Sequence, residues 1–154
     1  MDISQALATK LRTDPAVLAL LPSGANGIIL AETLMTGRVP AEVLLPCIAI
    51  QDMGDSGGVN ALPLIQTVIN LRVYDNALPN ALTYININRI MDECFRCLHR
   101  VPFSSQMSYQ TLYEVHYDGY KSPNSFDDLL KIPFRIIRFR AYSVSHFYDQ
   151  RGYA

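Results

Sequence analysis

Hydrophobic residues recur along this chain in two rhythms. Ile3, Leu7 and Leu11 return every fourth position with Ala6 and Ala8 among them, so the segment 3–21 opens as a helix. Asp14-Pro15 then interrupts it. Asp14 is suited to cap a second short helix whose first turn takes Pro15, and that helix ends before Pro22-Ser23-Gly24. Residues 84–98 carry the same rhythm: Tyr84, Ile87, Met91, Cys94 and Leu98 recur at three and four. Asp92, Glu93, Arg96 and Arg100 fall on other faces, which predicts the long central helix. His99 and Arg100 belong to its last turn, at the negative end of the dipole.

The other rhythm has a period of two. In "LIQTVINLRVY", residues 64–74, Ile65, Thr67, Ile69, Leu71 and Val73 share one face. Gln66, Val68, Asn70, Arg72 and Tyr74 share the other. One apolar and one mixed face fit a sheet covered by helices on a single side. Further strands are expected at 27–30, 42–51 and 109–117, the last ending at the turn signal Asp118-Gly119. Pro46 places the second of these at a sheet edge or makes its start irregular. "DMGDSGGVNALP", residues 52–63, has no hydrophobic period and predicts a mobile surface loop. The last strand, 131–144, changes phase at Ile136-Ile137, so Ile132, Phe134 and Ile136 share a face with Ile137, Phe139 and Ala141 only if a bulge intervenes.

The sum is one α+β domain over residues 1–145. Its mostly antiparallel sheet is packed on one face by the N-terminal helix and the long central helix. Residues 146–154 read as a C-terminal tail whose Phe147, Tyr148 and Tyr153 suit an interface.

Composition narrows the classes of function. The 154 residues are 49% hydrophobic, and 13 Lys and Arg against 14 Asp and Glu leave a net charge of −1. A dedicated nucleic-acid binder usually carries a basic excess. No apolar run approaches the roughly 20 residues that span a bilayer. An acid at Asp2, where a secretory signal carries positive charge, speaks against such a signal. Three cysteines, an odd number, suit folding in a reducing cytosol.

The segment "CFRCLH", residues 94–99, most invites a chemical reading. A redox pair needs a thiolate favoured by a helix N-terminus, and here the pair lies near the C-terminus. Cys94, Cys97 and His99 give at most three of the four ligands of a zinc site. Cys94 falls in the apolar stripe, so packing is the favoured role, and neither metal nor cofactor is expected. Glu114 and His116 share a strand face and could form an acid–base couple, or simply be an exposed pair. Lys131, Arg135, Arg138 and Arg140 punctuate the last strand. They read as a solvated face, as partners in intersubunit salt bridges, or as contacts to passing nucleic acid.

Four stretches in order carry a resemblance: "LRTDPAVLALLPSG", "LPCIAIQDMGDS", "TVINLRVYDNALPNALTYININRIMDECFRCL" and "DDLLKIPFRIIRFRAYSV". Over residues 5–144 the chain resembles the tail-completion proteins of tailed phages, the tail-terminator or head–tail joining family. The resemblance implies a non-enzymatic virion protein, assembled in the host cytoplasm, that forms a ring, often a hexamer. Such a ring ends the tail tube and joins it to a neck or connector protein, with genomic DNA passing through its lumen. Asp52 and Asp55 of the loop, Arg135, Arg138 and Arg140 of the last strand, and Phe147, Tyr148 and Tyr153 of the tail are then the expected interface residues. The alternative is a small enzyme or ligand-binding domain that uses Glu114 and His116.

Overall fold

The computed structural model describes residues 2–34, 39–40, 42–57, 64–76, 81–106 and 110–145. Helix α1, Ile3–Arg12, begins with a reciprocal cap: the Asp2 carboxylate accepts from Gln5 N–H, and the Gln5 side chain accepts from Asp2 N–H. Asp14 caps α2, Pro15–Leu18, by accepting from Ala16 and Val17 N–H. Strand β1, Ile28–Leu30, follows, then β2, Cys47–Gly57, and β3, Leu64–Tyr74. Helix α3 spans Ala81–Leu98. The remaining strands are β4, Pro102–Gln106; β5, Gln110–Lys121; β6, Ser125–Asp127; and β7, Ile132–Ser145.

The sheet order is β1-β2-β3-β7-β5-β4, and β6 takes the place of β5 beside the first residues of β7. Only β1 and β2 run parallel among these pairs; the others are antiparallel. The α+β class is therefore the one the patterning predicts.

Helices α1 and α3 bury their stripes on one face of the sheet. Ile3, Leu7 and Leu11 of α1 meet Ile87, Met91, Cys94 and Leu98 of α3 over Ile48, Ile50, Ile69, Leu71, Val73, Ile137, Phe139 and Ala141. A Leu or Ile fully buried there contributes about 1.5–3 kcal/mol relative to exposure. Part of the opposite face is covered too. Leu34, Val43, Cys47, Ala49, Tyr74 and Ile132 form a second, smaller cluster, flanked by Ile29, Leu130 and Phe134. The alternation predicted for β2 holds, with Ile48 and Ile50 in the large core and Cys47 and Ala49 in the small one. The strand begins later than expected, after a cis Leu45–Pro46 peptide, and is flanked by β1 and β3 over Cys47–Ile50.

Three expectations are corrected. Residues 52–57 are not loop but the far half of β2, paired with β3; residues 58–63 lie outside the described chain. The pairing passes from Asp52↔Ile69 to Asp55↔Thr67, so one extra residue sits on β2, and Gly54 takes φ 109° there. Asp118-Gly119 does not end β5. It forms a bulge between the Tyr117↔Phe139 and Lys121↔Ile137 pairs. Nor does β7 bulge against β3: its register is unbroken from Leu64↔Val144 to Tyr74↔Phe134. Ile136 and Ile137 face opposite sides as successive strand residues do, Ile137 in the large core and Ile136 beside Arg72.

Candidate interaction surface

Unbroken register fixes which β7 side chains share a face. Ile137, Phe139 and Ala141 lie on the side of the α-helices, so Arg135 does as well, while Arg138 and Arg140 lie on the side without α-helices, where only the short 3-10 turn Ala31–Leu34 packs. The predicted basic stripe is therefore split. Arg135 donates from Nε to the Ser122 carbonyl at 2.8 Å and from Nη1 to Asn88 Oδ1 of α3. It braces the turn before β6 against the helix.

The helix-free face gathers a different set. Arg72 donates from Nε to Gln51 Oε1 at 3.1 Å, and Arg138 from Nε to Asn70 Oδ1 at 2.9 Å. Arg140 reaches Gln66 Oε1 at 3.3 Å and pairs through Nε with Asp118 at 2.6 Å. Rings back two of the guanidinium groups: Arg72 lies 5.7 Å from the Phe134 centroid and Arg138 4.5 Å from that of Tyr120. The device is repeated across adjacent strands, an arginine held by a neutral amide so that its charge is oriented and not cancelled. Among the described residues neither Arg72 nor Arg138 has a carboxylate within ion-pair distance. Arg72 was not singled out from sequence, although its place on the mixed face of the 64–74 alternation was the available signal.

Glu114 and His116 stand on the same face, in register with Tyr142 and Arg140. His116 Nε2 and Glu114 Oε2 are 3.1 Å apart, and the imidazole packs edge-on against Tyr142 at 5.1 Å. The pair is partly exposed. A hollow of about 170 Å³ on this face lies elsewhere, between Gln51, Arg72, Tyr74 and Asp127.

Asp52 and Asp55 lie across the sheet from the arginines. Their partners Ile69 and Thr67 are buried on the helix side, while both acids are exposed. Asp55 Oδ1 accepts from the Thr67 hydroxyl at 2.6 Å and Asp52 Oδ1 from Gly54 N–H at 2.8 Å. Asp52 is exposed as a residue, but partial loss of solvent around its carboxyl still pushes it above its ordinary range. The Gly54 bond opposes this, while Asp55, Asp2 and Glu32 add to the rise as like charges. Phe147, Tyr148 and Tyr153 lie outside the described residues.

The cysteine–histidine segment is built into the scaffold. Cys94 is fully buried, and loss of solvent pushes its thiol up. Burial likewise raises Cys97 to about 12, with Asp14 adding to it, and its thiol lies 3.9 Å from the Lys10 carbonyl of α1. His99 stands just beyond α3 and not in its last turn. Its Nδ1 accepts from Tyr117 N–H at 2.9 Å, and Arg100, at φ 56°, donates its N–H to the Val115 carbonyl. The helix end is thereby tied to β5. Among the described residues no group of three His, Cys, Asp or Glu is placed to hold a metal ion.

Compared with known proteins, the chain matches no family model and no curated sequence.

Proposed function

We propose that this chain is an assembly subunit of a tailed-phage tail, a ring-forming protein that ends the tail tube and joins it to the neck. The observation that carries the reading is the build of the helix-free face. Helices seal one side of the sheet, while the other presents arginines held by amides and backed by aromatic rings. Arg and Tyr dominate the energetics of protein interfaces, and a surface whose side chains are already held loses less entropy on docking. The order of helix, strands, central helix and closing strands supports the resemblance read from the sequence. The ring partners are then further copies of the chain, the last ring of the tube, and a neck protein.

The test is native mass together with electron microscopy of purified tail tubes mixed with the protein. The reading expects a closed ring, free in solution or formed at tube ends, and impaired assembly when residues 146–154 are deleted. A chain that stays monomeric and leaves tube ends bare overturns it.

A second reading, a small enzyme or ligand-binding domain, has the His116–Glu114 contact in its favour. It expects a ligand that moves the His116 ring resonances and an activity lost in His116→Ala. Ring assembly unchanged in that variant, with no such activity, favours the first reading.

A further inference from the structure

Asp52 and Asp55 lie on the helix side of the sheet and Arg72 and Arg138 on the other, which also carries Glu114 and Asp127. Asp2, Glu32, Asp52 and Asp55 are all exposed. Asp55, Asp2 and Glu32 are near enough to act on the Asp52 carboxyl. None of the four has a Lys or Arg within ion-pair distance among the described residues. Arg72 and Arg138, equally without a carboxylate partner there, lie on the other face of the same sheet. One copy cannot fold Asp52 or Asp55 onto its own Arg72 or Arg138, because the sheet stands between them.

Two complementary surfaces on opposite sides of one chain are what a head-to-tail contact needs. Such heterologous contacts close into rings when the rotation permits. The net charge of −1 points the same way. It gives the whole molecule no surplus with which to draw in a polyanion, whereas two sorted patches of opposite sign serve self-association.

We propose that the acidic β2 edge of one copy, carrying Asp52 and Asp55, docks on the Arg72–Arg138 face of the next. The inference rests on the ring reading and names its contact. With Nε engaged by Asn70, the Arg138 guanidinium keeps its terminal N–H donors for an incoming carboxylate, and Arg72, held by Gln51 and the Tyr74 hydroxyl, brings a second positive charge beside it. Phe134 and Tyr120 hold the groups in place before the partner arrives.

The experiment uses two full-length variants, Arg72→Glu/Arg138→Glu and Asp52→Lys/Asp55→Lys, with mass photometry on each and on their equimolar mixture. Each alone sets like charges against each other at every contact and is expected to be monomeric. In the mixture, copies that alternate around a ring face opposite charges at every contact, so assembly returns. Circular dichroism and thermal melting confirm that each variant folds. Should either fail to fold, Arg138→Gln and Asp52→Asn replace them, with association at least tenfold weaker expected for each. Either variant keeping the wild-type mass overturns the proposal, as does a mixture of two folded monomers that stays monomeric. Intact rings that lose binding of a labelled DNA duplex in the arginine variant also overturn it, and assign the face to nucleic acid. Failure of the ring reading itself is distinct, since it appears as a wild type that stays monomeric and leaves tube ends bare; a wild type that closes rings only at tube ends is compared with the variants there.

Discussion

On β7, Arg135 donates to Ser122 and Asn88, whereas Arg138 rests on Tyr120 and donates to a single amide. Removing Arg135 strips two acceptors of a charged donor inside the helix–sheet packing. Arg135→Ala is expected to cost about 2 kcal/mol, and Arg138→Ala well under half of that, by urea unfolding. Equal losses would deny the two residues separate roles. His99 gives a pH-dependent counterpart. Its Nδ1 must be unprotonated to accept from Tyr117 N–H. Burial lowers its pKa below the ordinary 6.5, with Arg100 and His116 adding like charge and Glu114 opposing. As pH falls below that value the unfolded chain takes up the proton first. The contribution of His99 to stability is therefore full above about pH 6.5 and is lost as pH falls through the lower folded value. Unfolding midpoints at about pH 7.5 and 5.5 should show the drop, and His99→Asn should reduce it. The same slope in that variant would remove His99 as its cause.

Strand β2 shows why a polar segment can be a strand. "DMGDSG" has no apolar rhythm and carries two glycines, so local propensity favours a loop. Pairing with the strongly alternating β3 overrides it, and Gly54 absorbs the extra residue at φ 109°. A Cβ at this position would meet nothing within 4 Å, so Gly54→Ala tests the backbone alone. It should destabilise by about 1–3 kcal/mol, read as a lower thermal midpoint; an unchanged midpoint would show that the bulge tolerates a side chain. The elements legible in the sequence are those whose pattern repeats over many residues: α1, α3, β3 and the body of β7. The Asp118-Gly119 bulge and the passage of β2 through Asp52–Gly57 were not, because partner strands decide them. The phase change at Ile136-Ile137 has a related cause. Ile132 and Phe134 have apolar cover on the second face, so the start of the strand carries apolar residues on the side opposite the large core without any bulge, and strand parity separates Arg135 from Arg138 and Arg140.

For the chain as a whole, the sorting of charge matters more than its sum. Thirteen basic and fourteen acidic residues almost cancel, yet Asp52 and Asp55 lie on one face of the sheet and Arg72 and Arg138 on the other. Within a folded copy the sheet separates the two sets, so their attraction acts between copies. The arginines are only partly buried, so a contact between them and the acidic edge keeps a route to ions and is screened by salt. The screening length falls from about 10 Å at 0.1 M to about 3 Å at 1 M salt. Association by way of these surfaces should therefore weaken steadily over that range, seen in sedimentation as a shift toward monomer at fixed protein concentration. Packing of apolar side chains predicts the opposite trend, because strongly salting-out ions such as sulfate strengthen burial. Rings that tighten in sulfate and are indifferent to chloride would therefore place the contact on an apolar surface and not on the arginine face.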